Sequence, residues 1–280
     1  MSLWLIGSGS MYPDVLRDHI KKCQKATNMP FGVNIPLLYP DIDKHIDIVI
    51  EEGVKIVFTS AGNPAKYTSL LKERGIKVAH VVANSKFALK CVEAGVDAVV
   101  AEGFEAGGHN GAEEITTMCL IPMIADAINI PLIAAGGVGS GKAMLAAMVL
   151  GADGVQIGSR FVASNECSAH IDFKNEIVAA KDGDTILTLK ELTAVRLMKN
   201  NFYKQIKYAY SQNASLSELK ELLGVGRAKK GMFEGDLDQG ELEIGQVSAM
   251  IDSVMPVSDI ISEIITDYNQ ACKQLTAFRF

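Results

Sequence analysis

Two glycine-rich turns and one histidine loop carry the residues best able to do chemistry in this sequence. The first turn, Gly136-Gly137, follows the apolar run Pro131 to Ala135, and the second, Gly158-Ser159-Arg160, follows the apolar run Val155 to Ile157. A helical pattern from Gly141 to Leu150, closed by Gly151, separates them and has the length of a crossover between neighbouring parallel strands. Both turns therefore leave the same rim of a sheet. Turns without side chains free their backbone amides, and amides backed by a helix amino end attract anions. In an eight-stranded βα barrel the loops after the seventh and eighth strands commonly hold a phosphate. Gly136, Gly137, Gly158 and Ser159 are thus expected to hold the phosphate of a cofactor.

The third loop, Glu102-Gly103-Phe104-Glu105-Ala106-Gly107-Gly108-His109-Asn110-Gly111, follows the strand Ala98 to Ala101. His109 is the histidine that sits beyond a strand end, and imidazole is the usual proton carrier near neutral pH. Gly107 and Gly108 would let the backbone approach a flat ligand closely; the alternative is a solvated loop histidine. Asn34, in an apolar strand end, offers an amide either to a cofactor ring edge or to a turn before Pro36. Gln156 lies inside a buried strand, where an amide is easiest to explain if it faces the barrel mouth. His19 and His45 fall on helices and are expected to be solvated. His80 reads as a packed strand residue, and His170 has no evident partner. No pair of ligating side chains has metal spacing, so no metal site is expected. Glu102 and Glu105 are the strand-end carboxylates that a phosphate-binding lyase would need; Glu102 reads equally as a loop anchor.

The elements that must position these loops repeat along the chain. EEGVKIVFTSAG, ERGIKVAHVVAN, EAGVDAVVAEGF and VLGADGVQIGSR each end a helix at a glycine and continue into an apolar strand. Strands are expected at Leu3 to Ile6, Phe31 to Ile35, Ile56 to Thr59, Val78 to Val82, Ala98 to Ala101, Leu132 to Ala135 and Val155 to Ile157, with helices between them. Such alternation gives a parallel sheet with right-handed crossovers. A closed TIM-type (β/α)8 barrel has one strand more, so either an open seven-stranded sheet is expected or, the favoured expectation, the first βα unit is missing ahead of the strand that enters at Leu3 and turns at Gly7-Ser8-Gly9-Ser10. Residues 166–239 read as a helical insertion, with helices at Ser168 to Ala180, Leu189 to Met198, Phe202 to Ser211 and Ser215 to Leu223. The last of these opens on a Ser215-x-x-Glu218 capping box. Residues 1–165 and 240–280 would form the barrel.

With 280 residues, 48% hydrophobic and 21% charged, the chain has ample material for a core. A net charge of −6 without a basic cluster gives no footprint for nucleic acid. No apolar run reaches the length of a membrane span, and the five scattered cysteines form no C-x-x-C pair, so a soluble, cytoplasmic chain with reduced thiols is expected.

Taken together, Phe31-Gly32-Val33-Asn34, Ala61-Gly62-Asn63-Pro64, Glu105-Ala106-Gly107-Gly108-His109-x-Gly111, Ala134-Ala135-Gly136-Gly137 and Gly158-Ser159-Arg160-Phe161 resemble the nitronate monooxygenase (2-nitropropane dioxygenase) family of FMN barrels. That family includes the flavin-dependent enoyl-acyl-carrier-protein reductases. The resemblance implies that Gly136, Gly137, Gly158 and Ser159 bind the FMN phosphate, that Asn34 lies near the flavin ring and that His109 stands over it. It implies either oxidation of alkyl nitronates with molecular oxygen, or transfer of hydride from NAD(P)H through FMN to an enoyl thioester, with acyl carrier protein as a partner. Val81 stands where some monooxygenases resemble a lysine near the flavin; Phe233-Glu234-Gly235-Asp236-Leu237 and Gly245-Gln246 look more like the reductases. A truncated, inactive barrel whose open strand edge pairs in a homodimer is the contrasting expectation.

Overall fold

A computed structural model of the chain describes residues 3–9 and 11–275. Ser10 of the first glycine turn and the first two residues of the expected start lie outside them. The chain forms two compact units, Met1–Ala101 with Met123–Ile133, and Glu102–Pro122 with Ala134–Phe280.

The first unit alternates strands and helices: β1 (Trp4–Gly7), β2 (Phe31–Pro36), β3 (Ile56–Ser60), β4 (Lys77–Val82) and β5 (Ala98–Glu102) pair in parallel, in sequence order. The helices before β3, β4 and β5 stop at Gly53, Gly75 and Gly95, whose φ angles of 67°, 72° and 76° are the left-handed stop the repeated phrase requires. Because side chains alternate along a strand, the register sorts them into two faces. One face, with Val33, Ile35, Val57, Thr59, Val78, His80, Val82, Val99 and Ala101, is buried throughout. The other opens toward the strand ends, where Asn34, Ser60 and Val81 are half-exposed. His80 is the packed residue expected. Its Nδ1 lies 2.6 Å from Thr59 Oγ1, and burial holds its pKa down to about 4, so the ring is neutral. His45 corrects an expectation: it is buried, not solvated, and its Nε2 lies 3.1 Å from the Met11 carbonyl. Its helix, Ile42–Glu51, turns the histidine inward together with Ile42, Ile46 and Val49.

The second unit adds β6 (Gly108–His109), β7 (Leu132–Ala135, begun in the first unit), β8 (Gly154–Gln156), β9 (Thr185–Thr188) and β10 (Val195–Met198). The strands form a seven-stranded sheet, β1-β2-β3-β4-β5-β7-β8, and a three-stranded sheet, β6-β10-β9. The larger sheet is a seven-stranded βα series of the TIM-barrel type. The smaller one overturns an expectation. Leu189 to Met198 is not a helix; β10 occupies its end and pairs antiparallel with β9, so that Val195 faces Thr188 and Met198 faces Thr185. The apolar run there is too short for its period to separate helix from strand, and pairing decides. Helices Ile171–Ala179, Asn201–Ser211 and Leu216–Leu223 do form, the last with both arms of the Ser215–Glu218 capping box. Phe173, Ile177, Met198, Leu242, Ile244 and Ile251 pack into one core, and Leu189, Val195, Leu197, Phe202, Ile206 and Leu219 into another.

The crossover helix Gly141–Val149 docks on the closing helix Val257–Leu275 through backbone contact. A Cβ on Gly141 would stand 2.1 Å from the Tyr268 nitrogen and 2.2 Å from the Ile264 oxygen. Lys142 N–H donates to the Asp267 carboxylate at 2.9 Å and fixes the register. Gly141→Ala is therefore expected to lower unfolding stability by roughly 3 kcal/mol, the upper part of the overpacking range. Urea unfolding measures it, and an unchanged midpoint would show that the two backbones do not touch.

Candidate active site

The histidine loop is held from both ends. At its start, Gly103 N–H donates to the Ala135 carbonyl (2.9 Å) and Phe104 N–H to the Ile115 carbonyl (2.8 Å). The Glu105 carboxylate accepts from Thr117 N–H at 3.0 Å, and the Thr117 hydroxyl lies 2.9 Å from both that carboxylate and the Gly136 carbonyl. Thr117 thereby joins the histidine loop to the first glycine turn. At its far end, β6 pairs with β10, placing His109 opposite Val195 and Gly108 opposite Arg196, and Asn110 N–H donates to the Ala194 carbonyl at 2.9 Å. Arg196, 1% exposed, donates from Nε and Nη2 to the Phe104 carbonyl (3.1 and 2.9 Å) and from Nη1 to Thr185 Oγ1 (3.1 Å), and its plane stacks 4.4 Å from the Phe104 ring. Burial pulls its pKa below the usual guanidinium value, and the nearby Glu105 charge works against that. With the backbone tied down, His109 is left exposed at the rim.

Gly245 is where three loops meet. Its N–H donates to Ser159 Oγ at 2.9 Å, and a Cβ there would stand 2.8 Å from that oxygen, 2.9 Å from the Glu105 carbonyl and 3.2 Å from the Gly107 nitrogen. Gln246 N–H donates to the same Glu105 carbonyl at 2.9 Å. The second glycine turn and the histidine loop therefore share one small residue, and the Glu105 side chain of the histidine loop lies 3.5 Å from where a Cβ on Gly137 would be. Spacing within any one motif carried no sign of Gly245 as their meeting point, because its partners are far away in sequence.

The glycines serve unequal purposes. A Cβ on Gly107 would stand 2.4 Å from the Ile244–Gly245 backbone, one on Gly108 2.6 Å from a Glu243 carboxylate oxygen, and one on Gly136 2.8 Å from the Gly103 carbonyl. Close packing of the protein on itself accounts for these three. Gly136 and Gly137 follow one another at φ 83° and 71°, a turn that only glycines adopt without strain. Gly158 differs: a Cβ there would meet nothing within 4 Å, and the residue is exposed. Open space lies at that turn, bordered by Ser159, whose own O–H proton is not used in accepting from Gly245. Behind the first turn, Ser140 caps the helix Gly141–Val149 by accepting from Ala143 N–H at 3.2 Å.

Polar side chains without partners mark where a ligand is wanted. Gln156 Oε1 is buried without a hydrogen bond among the described residues. An orphan carbonyl of this kind costs about 1–3 kcal/mol until a donor reaches it. A flat heterocycle with an N–H edge and a phosphate tail fits this donor set: an acceptor on β8, an open glycine after it and a hydroxyl beside that. Glu102, ending β5, is half-buried and makes no hydrogen bond to the described residues. Burial pushes its pKa up to about 7. Of the two strand-end carboxylates, Glu105 is the loop anchor, and Glu102 is the one left able to exchange a proton. Asn34 belongs to the first unit, where its backbone carbonyl accepts from Ser8 N–H (3.0 Å) and its side chain takes no cap bond among the described residues. His170 accepts from Asp172 N–H at 3.2 Å and caps its own helix. No group of three or more His, Cys, Asp or Glu among the described residues is arranged to hold a metal ion. No helix among them is long and apolar enough to cross a membrane.

Several known proteins are similar to this chain. The nitronate monooxygenase family profile matches residues 39–267. A probable nitronate monooxygenase of Staphylococcus saprophyticus is 35% identical over 231 residues, covering 66% of this chain and 65% of the relative's own length. A substituted octahydroindene carboxyl-CoA dehydrogenase of Rhodococcus jostii is 28% identical, covering 99% of this chain and 88% of its own. Among solved structures, FabK from Thermotoga maritima superposes with a TM-score of 0.94 at 41% identity, covering 99% of this chain and 88% of that one. The chain belongs to the nitronate monooxygenase family of flavin-dependent oxidoreductases.

Proposed function

We propose that this chain binds FMN and uses it to reduce the carbon–carbon double bond of an enoyl thioester with electrons from NAD(P)H. The observation that carries this reading is the likeness to FabK, which at 41% identity spans 99% of the chain, including the region from Phe233 to Gln246 that resembles the reductases. The thioester class is further supported by the carboxyl-CoA dehydrogenase, also similar over 99% of the chain. Oxidation of alkyl nitronates with oxygen is the second reading, favoured by the family match over residues 39–267. Val81, half-exposed at the end of β4, stands where some monooxygenases resemble a lysine, and its apolar side chain weighs toward the reductase.

In either reaction bound FMN supplies the carrier for hydride or single electrons. Gly137, Gly158 and Ser159 would take its phosphate, with Gly136 shaping the turn. Gln156 Oε1 would accept from a ring N–H. Gly107 and Gly108 would act indirectly, by letting the Ile244–Gly245 backbone and Glu243 pack against the histidine loop, and His109 would orient the substrate and hold or release a proton at its imidazole. A small-molecule substrate, free or carried on acyl carrier protein, would enter over that exposed histidine.

Purified protein reconstituted with FMN is expected to show bound-flavin absorbance, and its absence would reject the cofactor. Gly158→Ala should leave thermal stability unchanged, because its Cβ meets open space, yet weaken FMN at least about tenfold, equivalent to roughly 1.4 kcal/mol. Unchanged affinity in a flavin titration would remove that turn from the site. His109→Ala should keep the flavin and lower turnover by roughly 10²-fold, the scale of a proton-transfer group. Anaerobic mixing with NADPH separates the two reactions: bleaching supports the reductase, whereas no bleaching together with nitronate-dependent oxygen uptake supports the oxidase.

A further inference from the structure

The helices that follow β10 carry charge of the opposite sign to the whole chain. In a chain of net charge −6, residues 199–230 hold seven Lys or Arg against two carboxylates, Glu218 and Glu221. Glu218 is taken up by the capping box of its own helix. Helix Asn201–Ser211 contains no acidic residue. Lys204 and Lys207 stand exposed on it, Lys220 stands exposed on the next helix, and none of the three makes an ion pair with the described residues. Lys229 and Lys230, by contrast, are paired with Glu234 and Asp236.

An open groove of about 520 Å³ lies between these helices, walled by Lys204, Gln205, Tyr208 and Ala209 of the first, Leu222 of the second and Gln239 beyond it. Its walls are tied together. Arg227 stacks on Phe202 at 4.3 Å and donates to the carbonyls of Leu222 (3.0 Å), Leu223 (2.8 Å) and Gln239 (2.7 Å), while Gln205 Nε2 donates to Gln239 Oε1 at 2.9 Å. Asp238 accepts from the side-chain amides of Asn201 and Gln239, and Lys204 Nζ donates to Asn201 Oδ1 at 2.9 Å, so no carboxylate compensates that lysine directly. Tyr208 is 67% exposed. The groove is therefore preformed, with an apolar floor and a cationic rim.

The groove also belongs to the support of the histidine loop. Val195 of β10 pairs with His109, and only Lys199 and Asn200 separate the end of β10 from helix Asn201–Ser211. At most roughly 20 Å of chain lies between Val195 and the start of that helix. The turn is held by Lys199 N–H on the Asp184 carbonyl (2.9 Å) and by Asn200 Nδ2 on the carbonyls of Leu237 and Gly240 (2.8 Å each).

We propose that this groove docks the acidic carrier protein that brings the enoyl thioester, with Tyr208, Ala209 and Leu222 taking the apolar side of a carrier helix and Lys204 and Lys207 facing its carboxylates. The proposal rests on the thioester reading above. An acidic partner is repelled by a chain of net charge −6 as a whole and is steered to this basic stretch, which fixes where on the chain it lands.

Full-length protein reconstituted with FMN is tested with a purified acidic acyl carrier protein, and with a crotonyl group carried either on that protein or on uncharged N-acetylcysteamine. Lys204→Glu should weaken carrier binding, read by fluorescence anisotropy, roughly tenfold. It should raise KM for the carrier-borne thioester by a similar factor and leave kcat and the constants for the small thioester unchanged. Wild-type binding should fall as salt rises, and less steeply in Lys204→Glu. Carrier binding that is absent in the wild type, or equal in the two proteins, overturns the proposal; turnover of the small thioester then still upholds the reductase reading. Binding lost in Lys204→Glu by a protein that turns over neither thioester upholds the docking surface and rejects the reductase reading. A single-stranded RNA oligonucleotide that binds the wild type as tightly as the carrier does overturns the proposal, because the lysines would then answer to any polyanion. If Lys204→Glu does not fold, Lys204→Ala and Lys207→Ala take its place, each expected to weaken carrier binding about threefold.

Discussion

Close approach of backbones at Gly245 is the constraint on which the candidate site depends. Hydrogen bonds made by main chain are directional and short, so three loops can share one point only if no side chain intrudes. Gly245 meets Ser159, the Glu105 carbonyl and the Gly107 nitrogen at that point. Gly107 is a glycine for the reciprocal reason, since the Ile244–Gly245 backbone occupies its empty side. A methyl group on either residue would separate the histidine loop from the segment that closes over it. The effect would be felt at His109, although neither glycine needs to touch a ligand.

Around this point the chain assembles rigidity from polar groups as well as from apolar cores. Thr117 bridges Glu105 and Gly136, and Arg196 holds Phe104 by two hydrogen bonds and a stacked ring. A guanidinium so deeply buried is tolerable because its donors are matched to carbonyl and hydroxyl oxygens. Gln156 breaks this rule of matching, and so do Glu102 and one buried donor of Arg160, its Nη1. Where a region leaves an acceptor, a donor and an acid unmatched, the missing partner is sought in a ligand.

Much of this was legible in the sequence because the βα phrase repeats locally. The glycines that stop helices and the paired turns at Gly136 and Gly158 are set by nearby residues, and the strands they bracket form within a residue or so of expectation. What was not legible depends on distant partners. Val195 to Met198 became a strand because β6 and β9 were there to pair with it, which a short apolar run cannot announce. His45 is buried because its helix turns that side inward with Ile42, Ile46 and Val49. Glu105 and Glu102 looked equivalent as strand-end carboxylates; only the position of Thr117 separates the anchor from the free acid. The close packing behind Gly107 and Gly108 likewise came from residues more than a hundred positions away.

The small sheet β6-β10-β9 divides the site between two kinds of support. The glycine turns at Gly136 and Gly158 follow the ends of strands β7 and β8 of the larger sheet. His109 instead hangs from the antiparallel pair β9 and β10, which lies after the larger sheet's last strand in the chain. Substitutions in that segment can re-aim the imidazole or alter what reaches it while the glycine turns stay as they are. A fold built this way can change what one loop presents by rewriting a single appendage, while the larger sheet keeps its register.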